Sequence, residues 1–371
     1  MEREELAAWL RLALPGVGNE GARKLLATFG LPRDVIAQPQ ERLTQVVGPT
    51  AARALLEPHE NFEAQVEATW SWLRAPDAAA PRHVLTLADS RYPTGLLQLA
   101  DPPLVLYVVG AVPTPWPDAI AIVGSRNPTA QGSSNARQFA ASFAGAGLAV
   151  VSGLALGIDA AAHEGALEGA ASGGLATIAI FGTGADRVYP ARHRELAHRI
   201  SANGLIASEH PIGTPPLAQN FPRRNRLIAA LSHGTVVVEA ALQSGSLITA
   251  REAAELGKDV FAIPGSIHSP QSRGCHLLIK QGAKLVETAQ DVLEELPLLA
   301  RHPATTTAKT PPPAEGNVLL AALGFDPVSL DALVSRTGIA ASRLQVQLLE
   351  LELAGDVARL AGGLFQRTAR A

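Results

Sequence analysis

Between a short apolar run and a helical one lies Ile122-Val-Gly-Ser-Arg-Asn-Pro-Thr-Ala-Gln-Gly132, a turn that offers glycine, two hydroxyls and one arginine. Backbone N–H groups at such a turn can approach an anion at the N-terminus of the following helix. Arg126 adds a planar fork of donors that matches a phosphate. From Ala119 to Val150 no acidic residue opposes it. Ser125 and Arg126 are therefore candidate phosphate ligands. No Gly-Lys-Ser/Thr follows, so this is not a Walker loop. The plainer alternative is a strand-to-helix turn with a solvated arginine.

Asn220-Phe-Pro-Arg-Arg-Asn-Arg-Leu-Ile-Ala-Ala230 sets three arginines and an aromatic at the start of a helix. Guanidinium groups suit phosphates, and Phe221 offers a face to an unpaired base. Arg223, Arg224, Asn225 and Arg226 join Phe221 as candidates. The bland reading is a solvated helix start with a core Phe. Ser244-Gly-Ser246 reads as a second anion-type turn, directly after a strand and before a helix. Ser244, Gly245 and Ser246 are its candidates.

Ser152-Gly-Leu-Ala-Leu-Gly-Ile-Asp-Ala-Ala-Ala-His163 again runs strand, turn, helix, with Gly153 at the turn. Asp159 is placed to cap that helix, and His163 follows one turn on. As a metal or acid/base pair they lack a third ligand nearby, so capping and packing describe them better. Phe181-Gly-Thr-Gly-Ala-Asp-Arg187 imitates the opening of a dinucleotide fingerprint, but Arg187 stands where the third glycine belongs. Cys275 and His276 are adjacent, point differently, and read as ordinary residues. No Ser-His-Asp or Cys-His order emerges.

These motifs need a scaffold. Short, apolar, β-branched runs fall at 84–87, 104–109, 119–123, 149–151, 176–181, 205–208, 235–238, 260–263 and 284–286. Most are separated by helical segments such as 133–144, 192–201, 224–231 and 249–256. That alternation predicts a doubly wound, mostly parallel sheet with helices on both faces, over 82–296. Loops that follow parallel strands share one edge, so the four turns should line one groove. Residues 1–75 read as helical, broken at Leu14-Pro-Gly-Val-Gly18. Residues 297–316 hold five prolines and read as a linker. Residues 317–371 form a small module, with helices at 317–323, 329–336 and 341–354 and two strands around Ala361-Gly-Gly363.

Length and composition set the limits. A chain of 371 residues suggests two or three domains. With 47% hydrophobic and 18% charged residues it can bury a core and is not a disordered chain. A net charge of −3 excludes a uniformly basic coat but not a local basic patch. One cysteine makes no intrachain disulfide and no thiolate cage. Met1-Glu-Arg-Glu-Glu5 lacks the pattern of a secretory signal. The uncharged stretch 139–158 is too heavily punctuated by glycine and serine for a membrane span. The expectation is a soluble, cytoplasmic protein without metal, cofactor or catalytic residues.

Taken together, residues 122–126, 152–163, 221–230, 244–250 and 260–265 resemble the DNA-processing protein A (DprA/Smf) family, over about 82–296. Phe-Pro-x-Arg-Asn-Arg followed by Ser-Gly-Ser-Leu-Ile-Thr-Ala is the most diagnostic pair. The resemblance implies an extended Rossmann-like domain that binds and protects single-stranded DNA without catalysis. It also implies help in loading the RecA recombinase, a role in natural transformation and recombination, and a homodimer. Arg126 and residues 221–226 match the family's DNA site. Many members carry a lysine three residues before the Phe, where this chain has Ala218; Arg223 is the residue to take its place. Residues 14–22 resemble a helix-hairpin-helix or sterile-alpha-motif-like turn. With Arg11, Arg23 and Lys24 close by, it could bind phosphate or simply pack helices. The C-terminal module resembles a winged helix. From 315 to 371, five arginines face six acids, which favours protein contact or weak duplex binding over major-groove reading. Two other classes compete: a nucleotide phosphoribohydrolase-like Rossmann enzyme, which would release free base from AMP, and a winged-helix transcription regulator, which would leave a sequence-specific footprint.

Overall fold

The computed structural model describes residues 1–76, 79–171, 173–296, 318–324, 327–360 and 362–368. The expected linker at 297–316 lies outside the described residues. Five helices open the chain: α1 (Arg3–Leu12), α2 (Asn19–Phe29), α3 (Pro32–Ile36), α4 (Gln40–Leu56) and α5 (Phe62–Arg74). α4 is broken at Gly48 (φ 79°), just before Pro49. The sheet strands follow as β1 (Arg82–Thr86), β2 (Val105–Val109), β3 (Ala119–Val123), β4 (Ala149–Ser152), β5 (Thr177–Ile180), β6 (Leu205–Ser208), β7 (Gly234–Val237), β8 (Asp259–Ala262) and β9 (Lys284–Leu285). Between and after them come α6 (Ala130–Gly145), α7 (Ile158–Gly169), α8 (Arg194–Asn203), α9 (Asn220–Ala230), α10 (Ser246–Glu255), α11 (Arg273–Lys280) and α12 (Ala289–Glu295).

The strand order is β1-β2-β6-β5-β4-β3-β7-β8-β9. From β6 to β9 every neighbouring pair is parallel, whereas β2 is antiparallel to both β1 and β6. Alternation along the strands feeds two cores. Ala119, Ala121 and Val123 of β3 face α9, α10 and α11 through Leu227, Ile228, Ala250 and Cys275. Ile120 and Ile122 face α6 and α7 through Phe139, Phe143, Ile158 and Ala162. The parallel strands are thus covered on both sides, which is why their sequence is continuously apolar.

The N-terminal helices do not close a core of their own. Leu6, Leu12, Leu25, Leu55 and Trp72 share one cluster with Val84 of β1 and Val105 and Tyr107 of β2. The glycine-rich turn between α1 and α2 packs helices. Added at Gly16, a Cβ would lie 2.6 Å from Ala54 Cβ. The nearby cations are engaged: Arg11 with Leu55 O and Leu56 O, Arg23 with Ala100 O, and Lys24 with Glu20.

At the other end, α13 (Val318–Leu323), β10 (Val328–Ser329), α14 (Leu330–Thr337), α15 (Ala341–Leu353), β11 (Val357–Leu360) and β12 (Leu364–Arg367) enclose a small core. The strands pair antiparallel in the order β10-β12-β11. Gly338, in the left-handed region at φ 68°, ends α14 and sets up α15. Among the described residues no helix is long and apolar enough to cross a membrane.

Candidate nucleic-acid interface

In an open parallel sheet a crevice forms beyond the C-terminal ends of the strands, at the point where strand order reverses. From β3 the chain steps outward through β4, β5 and β6, then returns so that β7 pairs with the other edge of β3. The reversal therefore falls between β3 and β7. A cleft of about 460 Å³ opens there. Its walls are the loop after β3 (123–127), the turn before α10 (243–246) and the first turns of α9, with Ala155 at the rim.

Arg126 is exposed on the first wall. Beside it, the buried Ser125 accepts a bond from Asn127 N through Oγ (3.1 Å), which leaves its O–H as the group it can offer. On the opposite wall the Ser244 and Ser246 hydroxyls lie 2.7 Å apart. Eight residues, 238–245, separate β7 from α10, so this turn does not follow its strand directly as the sequence suggested.

The expected anion at the N-terminus of α6 is supplied by the protein itself. The half-buried Thr129 donates its N–H (2.9 Å) and Oγ1–H (2.5 Å) to the Glu239 carboxylate, and Thr129 Oγ1 accepts from Gly132 N. A Cβ at Gly132 would run into that carboxylate. Burial raises the Glu239 pKa, against the two Thr129 bonds that lower it. Sequence reasoning missed this residue; its signal was an acid just past the strand that pairs with β3.

Helical spacing sorts the arginines. Phe221, Arg224, Asn225 and Ile228, at i, i+3, i+4 and i+7, turn one face of α9 to the cleft. Arg223 and Arg226 belong to the other face, so they do not reach the cleft as expected. Arg223 lies 3.9 Å from Glu209 and 4.0 Å from Asp101 and lines a separate cleft against α1 and the α1–α2 turn. Arg226 donates to Asp101 O (2.8 Å) and to the Glu209 carboxylate.

Arg224 reaches the cleft but is only 4% exposed. It donates to Gly153 O (2.5 Å), to Ile180 O and to Asn225 Oδ1 (3.1 Å), and lies 4.0 Å from Asp159. Burial pulls its pKa down to about 10, which still leaves it charged at neutral pH. Its Nε and Nη1 donors are committed to the protein and its Nη2 faces Asp159, so it braces the floor of the cleft. Gly153 is buried directly against this guanidinium, and any Cβ there would collide with it. Asn225 donates through Nδ2 to Gly245 O (3.2 Å), tying α9 to the turn before α10.

Asp159 does not cap α7; Gly157 occupies that position. The Asp159 carboxylate instead accepts from Gly153 N (3.1 Å) and Ala155 N (3.2 Å), holding a loop in which Leu154 sits at φ 56°. A branched side chain at positive φ is strained. His163 is fully buried. Thr177 Oγ1 donates its one hydrogen to Val150 O (2.6 Å), so it accepts from His163 Nδ1–H at 2.7 Å. Burial drives the His163 pKa down to about 3, and the ring is neutral. Cys275 is buried, with its thiol pushed up to about 12.

Phe221 is half-buried. Its ring lies over Gly182, where a Cβ would come within 2.9 Å of Cδ1. Tyr189, which the sequence reading passed over, sits on the same loop with its ring centroid 5.4 Å from that of Phe221, tilted by 42°.

The family model for DNA recombination-mediator protein A matches residues 83–297, and the DprA winged helix domain matches 302–363. The chain belongs to the DNA recombination-mediator protein A family. It is 42% identical over 307 residues to protein Smf of Escherichia coli K12, covering 80% of each chain. The X-ray structure of DNA processing protein A from Streptococcus pneumoniae superposes with a TM-score of 0.67 at 34% identity, covering 80% of this chain and 98% of that one. A Helicobacter pylori DNA processing protein A, described for its single-stranded DNA binding mode, superposes with a TM-score of 0.53 at 32% identity, over 59% of this chain and 97% of that one. For a member of this family, the cleft at the β3–β7 reversal combines a cationic wall, a hydroxyl wall and an aromatic edge.

Proposed function

We propose that this protein binds single-stranded DNA in the cleft between β3 and β7 and protects it without turning it over. Natural transformation and recombination are the processes served, with the strand passed on to the RecA recombinase. The observation that carries the reading is one cleft edged by both an exposed guanidinium, Arg126, and an aromatic face, Phe221. The first suits a phosphate and the second an unpaired base. Ser125, Ser244, Gly245 and Ser246 are the proposed further contacts. Gly153, Arg224 and Asn225 hold the floor, and Arg223 and Arg226 lie outside. The Helicobacter pylori relative supports the choice of single strands. Asp159, the acid that lines the cleft, is taken up by Gly153 N and Ala155 N, and Glu239 by Thr129, which weighs against the phosphoribohydrolase alternative.

The solvent face of α15 presents Val346, Leu349 and Leu353 beside a single cation, Arg343. We read the winged helix as a protein-contact module, not a major-groove reader. The reading extends to a homodimer, for which the exposed Leu242, Leu277 and Leu285 near the β9 end of the sheet offer apolar surface. Such work belongs in the cytoplasm. The test is a titration with single-stranded and duplex DNA of equal length at matched salt. The single strand should bind tighter, with little sequence preference; equal affinity for both would overturn the reading.

A further inference from the structure

Beyond the cleft, on the far side of Phe221, the loop from β5 to α8 carries an aromatic and a row of cations that the cleft does not use. Tyr189 is 49% exposed although its ring touches the Phe221 edge of the cleft. Arg187, Arg192 and Arg194 are exposed, and among the described residues none of them forms an ion pair. The acids nearby do not offset them. Asp186 is turned to Gly213 N (2.9 Å), and Glu195 is the other carboxylate between Ala185 and Arg199.

This loop is held in place. Thr183 Oγ1 donates to Arg187 O (2.6 Å), His193 N donates to Pro190 O (3.0 Å), and the His193 Nδ1 ring nitrogen bonds Leu154 O (3.0 Å). That third bond matters for geometry. Leu154 is the neighbour of Ala155 on the cleft rim, so Arg192 and Arg194 flank a residue anchored at that rim. A held aromatic followed by unpaired guanidinium groups is what a strand leaving a stacking site requires: a second base face, then phosphate donors.

We infer that the β5–α8 loop is a second strand-binding segment, in which Tyr189 stacks a base next to the one on Phe221 and Arg187, Arg192 and Arg194 take the phosphates beyond it. The inference rests on the single-strand reading above and gives the bound strand a path out of the cleft. It predicts a dependence on strand length that the cleft alone does not. A strand of about four nucleotides fills the cleft, whereas one about four times longer also covers the loop.

The experiment measures affinity of the full chain for oligothymidylates of these two lengths, with Tyr189→Ala, Tyr189→Phe and the double variant Arg192→Gln/Arg194→Gln. On the long strand Tyr189→Ala should lose roughly tenfold, the scale of one stacked base, and Tyr189→Phe should keep wild-type affinity. The double variant should shallow the salt dependence by about 0.7 for each phosphate no longer neutralised, on the long strand only. On the short strand all three should match the wild type. Losses equal on both lengths would overturn the inference, since Tyr189 would then act only by holding Phe221. Wild-type affinity of all variants on both lengths would overturn it too, leaving the cleft reading intact. A wild type that binds neither strand would instead sink the proposed function.

Discussion

Replacing Arg224 by alanine should destabilise the fold rather than remove a DNA contact. The guanidinium is 4% exposed and bonds Gly153 O, Ile180 O and Asn225 Oδ1, with the Asp159 carboxylate 4.0 Å away. Alanine leaves Asp159, only 6% exposed, without its cation. Breaking one side of a buried pair costs about 3–5 kcal/mol. Two backbone carbonyls also lose a donor, each worth about 1–3 kcal/mol where water does not replace it. Taking about 4 kcal/mol as the net, a domain with about 5–15 kcal/mol in total loses a large part of its margin. At about 2–4 °C per kcal/mol for this size, the melting temperature should fall by about 8–16 °C. Urea unfolding followed by tryptophan fluorescence, together with thermal melts, gives the size of the loss. Adding Asp159→Asn to the Arg224→Ala chain should recover part of it, because the stranded charge is then gone. A variant that melts like the wild type yet no longer binds single strands would refute the argument and put Arg224 among the ligand contacts.

Arg126→Ala should do the opposite. The melt should stay within about 0.5 kcal/mol, while the salt dependence of strand binding shallows by about 0.7, equally for all sequences; an unchanged slope would move the strand out of this cleft. Phe221→Ala should cost about 1–3 kcal/mol of single-strand affinity and little for duplex, read from paired titrations. The buried neutral His163 adds a pH dependence. Its folded pKa, near 3, lies below its unfolded value of 6.5, so the unfolded chain binds the extra proton between them. Its contribution is complete above about pH 6.5 and is lost on acidification, at up to about 1.4 kcal/mol per pH unit. Urea midpoints from neutral to acid pH should therefore fall less steeply in His163→Gln; parallel curves would count against the buried neutral ring.

The sheet was legible because its strands are covered on both faces and read as short apolar runs; Ala119–Val123 stands in the chain as it stands in the sheet. The start of α9 was less so. The helix begins at Asn220, four residues before the position expected, because Pro222 sits in the first turn, where a missing N–H costs nothing. That shift turns Phe221 to the cleft and Arg223 away from it. Which loops meet was readable from the rule that they follow parallel strands. Which arginine is free was not: Arg224 and Arg226 differ from Arg126 only through partners 17 to 125 residues away, Gly153 and Ile180 for one, Asp101 and Glu209 for the other. The Glu239–Thr129 bond spans 110 residues and is likewise invisible to local pattern.

The core shared by the N-terminal helices and the first two strands has a consequence for how the chain can be divided. Composition changes near residue 76, and a cut there looks natural on paper. Yet Val84, Val105 and Tyr107 are buried against Leu55, Trp72 and their neighbours. A fragment beginning at β1 would bare that apolar face of the sheet to water, and the released helices would lose the wall they fold against. A protease cleaving between the two would leave a nicked complex rather than two products. Shuffling this sheet onto another N-terminal partner would demand a replacement that matches the same apolar footprint.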